Sequence, residues 1–365
     1  MVKRRLTLLI AGNILLFVVA FILLSGLLEA YLRWHEPPPG ATSGLVWDRE
    51  LGWNANPSVR PLQNVGTGSV VLFLGDSFTD GVSWPLFAQG EAQKDGMHFE
   101  GFNLGVAGYG TTQELLKLRQ YIAAHRPQLI VLLFFAWNDF RDNVEYPTVF
   151  YSTQTTDRPY LKKTAGGYVP QPFHASGLLS LLLRSHVFSR LFQNKLLQAQ
   201  PSSASLSTDK ILEQHLPFAF SYADPIAWEP FYRDANQEHP YVHEAYAVTT
   251  DALRILRDDV RRSGAKLLLV GLDNAFTVDK DVAAEWLPPD EDINPQLPLR
   301  RLQEIAVSLE IPYISALPTL QELHRASGKK VYNGPAGNLS GHLEPEANEA
   351  IGQLVGREIV LMLNP

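Results

Sequence analysis

Hydrophobic and polar positions divide the chain into zones of different period. Leu6 to Leu28 is an apolar run broken only by Thr7, Asn13, Ser25 and glycines, long enough to cross a bilayer as a helix. Residues 33–68 keep no sustained period and are rich in proline, glycine and asparagine, including Pro37, Pro38 and Pro39. They read as a juxtamembrane connector lying on the domain that follows. From Ser69 onward, short apolar runs alternate with amphipathic helical patterns. Strands are predicted at 69–74, about 98–104, 128–135, 266–271 and 311–315, and helices from about Trp84, then at 111–125, 241–263, 297–309 and 345–362. That alternation predicts an α/β domain over 69–365, a three-layer α/β/α sandwich around a parallel sheet, preceded by one transmembrane helix. Residues 142–240 interrupt it with aromatics, prolines, an apolar amphipathic patch from Leu178 to Leu197, and serines at 202, 203, 205 and 207. This insertion is either a lid or wall beside the sheet edge that carries Ser77, or a helical excursion packed on the domain.

Charge and composition narrow the picture. The 31 basic and 38 acidic residues leave a net charge of −7, with no basic run beyond Lys3, Arg4, Arg5 and the brief Arg261, Arg262, so nucleic acid is not an expected partner. With no cysteine, disulfides, thiolate chemistry and cysteine zinc sites are excluded, which suits an oxidising compartment. Lys3, Arg4 and Arg5 ahead of the apolar run place the N-terminus (residues 1–32 being tip and anchor) in the cytoplasm and the rest in the periplasm or outside the cell. A cleaved signal peptide competes with an uncleaved anchor at residues 6–28. Its apolar core would be shorter, and Leu28, Glu29, Ala30 make a poor cleavage site.

Candidate chemistry gathers where strands end. The run 69–74 stops at Gly75, Asp76, Ser77, a tight turn that sets a serine hydroxyl at the C-terminal edge of the sheet, where open α/β sheets place ligands. Asp76 and Ser77 alone are equally turn and cap residues. After the second strand comes Asn103 Leu104 Gly105 Val106 Ala107 Gly108 Tyr109 Gly110, whose backbone can approach a ligand closely. Its glycine order is not the dinucleotide fingerprint, so no nicotinamide or flavin cofactor is expected. After the third strand, Asn138 and Asp139 supply an amide and a carboxyl, and His342 precedes the last helix at Pro345. A serine, a histidine, a backbone N–H from a glycine loop and an amide are what acyl transfer requires. His239 and His243 share one helix face without a third ligand, so no metal is expected. Trp137 and Tyr109 beside the site either stack on a sugar or simply pack.

These stretches resemble the SGNH hydrolases, the GDSL-type esterases and lipases. Gly75, Asp76 and Ser77 match their first block, Asn103, Gly105 and Gly108 the second, Asn138 and Asp139 the third with Ala136 in place of its glycine, and His342 the fifth. The resemblance covers roughly residues 69–140 and 265–363. It implies a flavodoxin-like sandwich, Ser77 as nucleophile, His342 as base, and an oxyanion hole of the Ser77 and Gly108 N–H groups with the Asn138 amide, Asp76 and Asp139 in support. The aspartate that family members carry two or three residues before the histidine is replaced here by Leu339 and Ser340. Either Ser340, Asn338 or a backbone carbonyl orients His342, or Glu344 does, or the fold is kept for binding alone. Membrane-anchored relatives suggest an O-acetyl ester of a cell-surface carbohydrate as substrate, with polysaccharide-assembly proteins as possible partners. The alternatives are a silent scaffold in polysaccharide assembly and a lipase or thioesterase at the membrane surface.

Overall fold

The computed structural model describes residues 2–35, 45–48, 50–55, 57–63, 68–81, 84–144, 159–171, 185, 187, 229–237, 239–279, 281–283, 293–333 and 341–364. Helix α1 (Val2–His35) contains Ile10–Leu32, which is long and apolar enough to cross a membrane and is exposed along most of its length, with Leu32 buried at its end. A membrane span and a signal sequence share that property. Near its end, the Glu29 carboxylate accepts hydrogen bonds from Ser185 Oγ (2.8 Å) and the Val187 N–H (3.1 Å).

The stretch read as a connector carries strands that its pattern does not announce. β1 (Leu45–Asp48) and β2 (Gly52–Ala55) form an antiparallel hairpin, and β3 (Arg60–Pro61) joins the main sheet. The sheet then takes β4 (Ser69–Leu74), β5 (Phe99–Asn103) and β6 (Leu129–Phe135). After a separate hairpin of β7 (Tyr160–Thr164) and β8 (Gly167–Gln171) come β9 (Lys266–Leu272) and β10 (Tyr313–Ser315). The spatial order is β10-β9-β6-β4-β5-β3; all neighbours are parallel except β3, which runs antiparallel along the β5 edge. Every residue of β6 is buried, as its unbroken sequence Leu-Ile-Val-Leu-Leu-Phe-Phe demands of a central strand covered on both faces.

Among the described residues the α-helices that follow are α2 (Trp84–Lys94), α3 (Thr111–His125), the single turn α4 (Asp139–Asp142), α5 (Pro240–Arg262), the short α6 (Ala275–Val278), α7 (Leu297–Ser308), α8 (Leu317–Ser327) and α9 (Pro345–Leu363). The step from β4 to β5 moves toward one edge and the step from β5 to β6 back toward the other, so right-handed crossovers put α2 and α3 on opposite faces. α9 packs on α2 and α5 on α3, completing the three layers. His239 caps α5, its Nδ1 accepting the Tyr241 N–H at 3.2 Å just ahead of Pro240.

Taken in chain order, the five parallel strands lie as 2-1-3-4-5 from the β5 edge, the flavodoxin-like arrangement. Its switch point falls between β4 and β6, the two strands that deliver Ser77 and Asn138. Most of the 142–240 insertion, including Leu178 to Leu197 apart from Ser185 and Val187, lies outside the described residues.

Candidate active site

At the end of β4 the chain turns at once. The Asp76 carbonyl accepts the N–H groups of Thr79 (3.1 Å) and Asp80 (2.9 Å), while its carboxylate Oδ1 accepts the Phe78 N–H at 2.9 Å. Ser77 sits half-buried on this turn between two buried neighbours, and among the described residues its N–H has no hydrogen-bond partner. From β6, the buried Asn138 donates Nδ2–H to Asp76 Oδ2 at 3.2 Å. A side-chain amide carries two N–H groups, so one remains for a reacting oxygen beside Ser77.

The glycine loop is stitched to the same turn. Asn103 Oδ1 accepts the Gly105 N–H (2.8 Å) and its Nδ2 donates to the Thr79 carbonyl (2.7 Å), while the Val106 N–H donates to the Gly75 carbonyl (3.1 Å). Arg60 of β3 pairs with Asp80 and donates to the Gly105 carbonyl at 2.7 Å. The other Asp80 oxygen accepts the Ala107 N–H at 3.0 Å. Gly108 follows in the left-handed region, φ +76°.

His342 arrives from the loop ahead of α9. Its N–H donates to Asn333 Oδ1 (3.0 Å) and its carbonyl accepts the Asn333 N–H (2.7 Å), and its ring lies 4.9 Å from that of Phe78, the residue after Ser77. Burial lowers the imidazole below its usual 6.5, partly offset by the Asp80 carboxylate. Asn338 and Ser340 lie outside the described residues. Glu344 caps the start of α9 and donates its N–H to the Val331 carbonyl (2.8 Å); among the described residues no hydrogen bond joins its carboxylate to His342.

Trp137 and Tyr109 leave no face for a sugar. Both are buried, the Tyr109 hydroxyl donates to the Trp53 carbonyl, and the Arg141 guanidinium lies 5.8 Å from the Trp137 ring. Packing is what these aromatics do. Ala136 stands where the resembled motif has glycine and needs no glycine, because its φ is not positive.

Beneath the serine turn lies a group of acids that sequence reading placed only in part. Asp76, Glu114, Asp139 and Asp142 are all at least 97% buried. Burial pushes Asp76 up to about 7, with the Asp142 charge adding to it. Burial and then Asp76 hold Glu114 well above its ordinary range, and burial, Asp76 and Glu114 do the same to Asp139. Asp139 Oδ2 accepts the Phe135 N–H at 2.8 Å, but among the described residues neither Glu114 oxygen has a hydrogen-bond partner. Arg141 pairs with Asp142 at 3.0 Å, and Lys117, itself lowered to about 7 by burial, donates to Asn54 Oδ1 at 2.9 Å.

This burial has a sign that can be measured. A carboxyl whose folded pKa is raised stabilises the fold below its unfolded value, about 4, and that stability is lost as pH rises through the folded value. For Asp76 the loss is complete above about 7. Melting temperature is therefore expected to fall between about pH 4 and about pH 7, and Glu114→Gln, which cannot ionise, to flatten the slope. Scanning calorimetry across that range checks it; a melting temperature that rises contradicts the assignment.

No protein family matches this chain in a family scan, and no curated protein does. Among solved structures it is similar to an acetylxylan esterase from Geobacillus stearothermophilus, with 10% identity, covering 83% of this chain and 97% of that one at a TM-score of 0.40. A protein assigned as an acylhydrolase from Bacteroides fragilis gives 12%, 81%, 88% and 0.36, and a gut microbial diltiazem-metabolizing enzyme 11%, 80%, 47% and 0.41, in the same order. Superpositions this loose leave the chemistry to the residues themselves.

Proposed function

We propose that the chain is a membrane-anchored serine esterase or O-acyltransferase working through an acyl-Ser77 intermediate. The observation that carries this is the convergence of the Ser77 turn, the Asn138 amide and the His342 ring at the β4/β6 switch point. In this reading Ser77 Oγ attacks an ester carbonyl while His342 takes its proton. The oxyanion is held by the Ser77 and Gly108 N–H groups and the second Asn138 N–H. His342 then returns the proton to the departing alcohol, and water or a sugar hydroxyl attacks the acyl-serine carbonyl to free Ser77. The substrate class, an O-acetyl ester of a cell-surface carbohydrate reached on the outer side of the membrane, rests on the sequence resemblance and on the orientation that Lys3, Arg4 and Arg5 predict for α1.

The full chain in detergent is expected to hydrolyse p-nitrophenyl acetate faster than the octanoate. A rise in kcat/KM with chain length would instead support a lipase. Because a neutral imidazole is the base and burial lowers it, kcat/KM should rise with pH to a midpoint below 6.5 and stay level through neutrality. Asp80→Asn removes the charge that raises His342, so its midpoint should lie lower still. The second reading, a catalytically silent scaffold, is favoured by one observation: no acid is bonded to His342 among the described residues. Equal p-nitrophenyl acetate rates for the full chain and buffer would support it.

A further inference from the structure

The hairpin between the membrane helix and the catalytic domain bears directly on the oxyanion site. Asp48 closes it, its Oδ1 accepting the N–H groups of Glu50 (2.8 Å) and Leu51 (2.9 Å), and the pairing sets Trp53 opposite Trp47. Trp53 is buried in a small apolar cluster with Leu45, Leu51, Val106, Tyr109 and Leu116, its ring 5.8 Å from Tyr109 at 67°. This cluster joins the hairpin to the glycine loop and to α3, apart from the main core.

Within it, the Trp53 indole Nε1–H donates to the Ala107 carbonyl at 2.9 Å. The Ala107 N–H is held from the other side by Asp80 Oδ2 at 3.0 Å, and Asp80 is fixed in turn by Arg60. A trans peptide is planar with C=O and N–H antiparallel, so fixing the Ala107 carbonyl toward the indole aims the Gly108 N–H the opposite way, away from the hairpin. Room for a side chain is not what requires glycine at 108, since an added Cβ would sit at 3.7 Å from Trp53; the φ of +76° is. The backbone turns there, and the two hydrogen bonds on Ala107 set its direction.

We infer that Trp53 is a positioning residue for acyl transfer: through the Ala107 carbonyl it sets the aim of the Gly108 N–H at the oxyanion. The inference rests on the acyl-serine reading. An oxyanion donor acts on the transition state and not on the bound ester, so its misalignment lowers kcat and leaves KM. Losing such a donor outright costs about 10²–10³ in kcat, and mis-aiming one costs less, roughly 10- to 100-fold.

The test compares the full chain in detergent with Trp53→Phe, which keeps an aromatic ring and removes the donor, on p-nitrophenyl acetate. Expected are a 10- to 100-fold fall in kcat, KM within about twofold, and an equal fall in the rate at which a fluorophosphonate inactivates Ser77. Leu51→Ala, in the same cluster, should lower melting temperature and leave kcat within about threefold, separating hairpin stability from aim. A benzothienylalanine at position 53, which keeps the ring size and lacks the N–H, serves if the phenylalanine variant does not fold. A folded, donor-less variant with wild-type kcat, or one whose loss lies wholly in KM, overturns the inference. Wild-type turnover no faster than that of Ser77→Ala overturns the acyl-serine reading itself, and the inference with it.

Discussion

Ser77→Ala is expected to lower p-nitrophenyl acetate hydrolysis by roughly 10⁴- to 10⁶-fold, with the melting temperature unchanged. The size follows from the proposed acyl-serine chemistry, in which covalent catalysis ends when the serine is removed and only binding and the oxyanion donors remain. Stability should be spared because the turn is held by other groups. The Asp76 carbonyl and carboxylate bind the N–H groups of Phe78, Thr79 and Asp80, and no described hydrogen bond uses the Ser77 side chain. Steady-state kinetics beside a thermal melt check both halves. Activity persisting within tenfold of wild type would place the chemistry elsewhere.

Gly105→Ala is expected to cost both stability and activity. A Cβ at 105 would lie 2.6 Å from Thr79 Cβ and 2.7 Å from the Asp80 nitrogen and the Thr79 carbonyl carbon, and the latter two, being backbone atoms, cannot swing away. The glycine loop must therefore move off the serine turn, stretching the Asn103 bridge to Thr79 and the Val106 bond to Gly75. Overpacking of this kind costs ~1–3 kcal/mol. A displacement of about 1 Å between nucleophile and oxyanion donors costs roughly 100-fold in rate. Chemical denaturation and kcat measure the two, and an active variant of wild-type stability would contradict the close approach.

What the sequence discloses follows from how local each signal is. β6 is an unbroken apolar run, and β4 and β9 are apolar after a polar first residue; a continuous run of strand length has few other uses. α3 is legible in its period and α9 in Pro345 at its start. The β1–β2 hairpin is not, because strands of four residues are too short to show alternation. Nor is α8, an eleven-residue helix that follows β10 almost directly and carries proline in its first turn.

The candidate site divides the same way. Ser77, Gly108, Asn138 and His342 each lie within a few residues of the end or start of an element and carry motif residues beside them. Arg60 and Trp53 reach the site from the irregular stretch ahead of β4, where nothing in the pattern marks them. Glu114 and Lys117 look like solvent-facing charges on a helix. They are buried because the hairpin covers the first half of α3, leaving residues 111–118 enclosed on all sides. Only the fold brings that second cover.

The measurement that tests the central claim most directly is mass spectrometry of the full chain after brief treatment with a fluorophosphonate, beside His342→Ala. The account predicts a single phosphonyl group on Ser77, formed at least 100-fold more slowly when the imidazole is absent, in line with the usual contribution of a general base of about 10²–10⁴. An unmodified Ser77, or a rate that His342→Ala leaves unchanged, would contradict it.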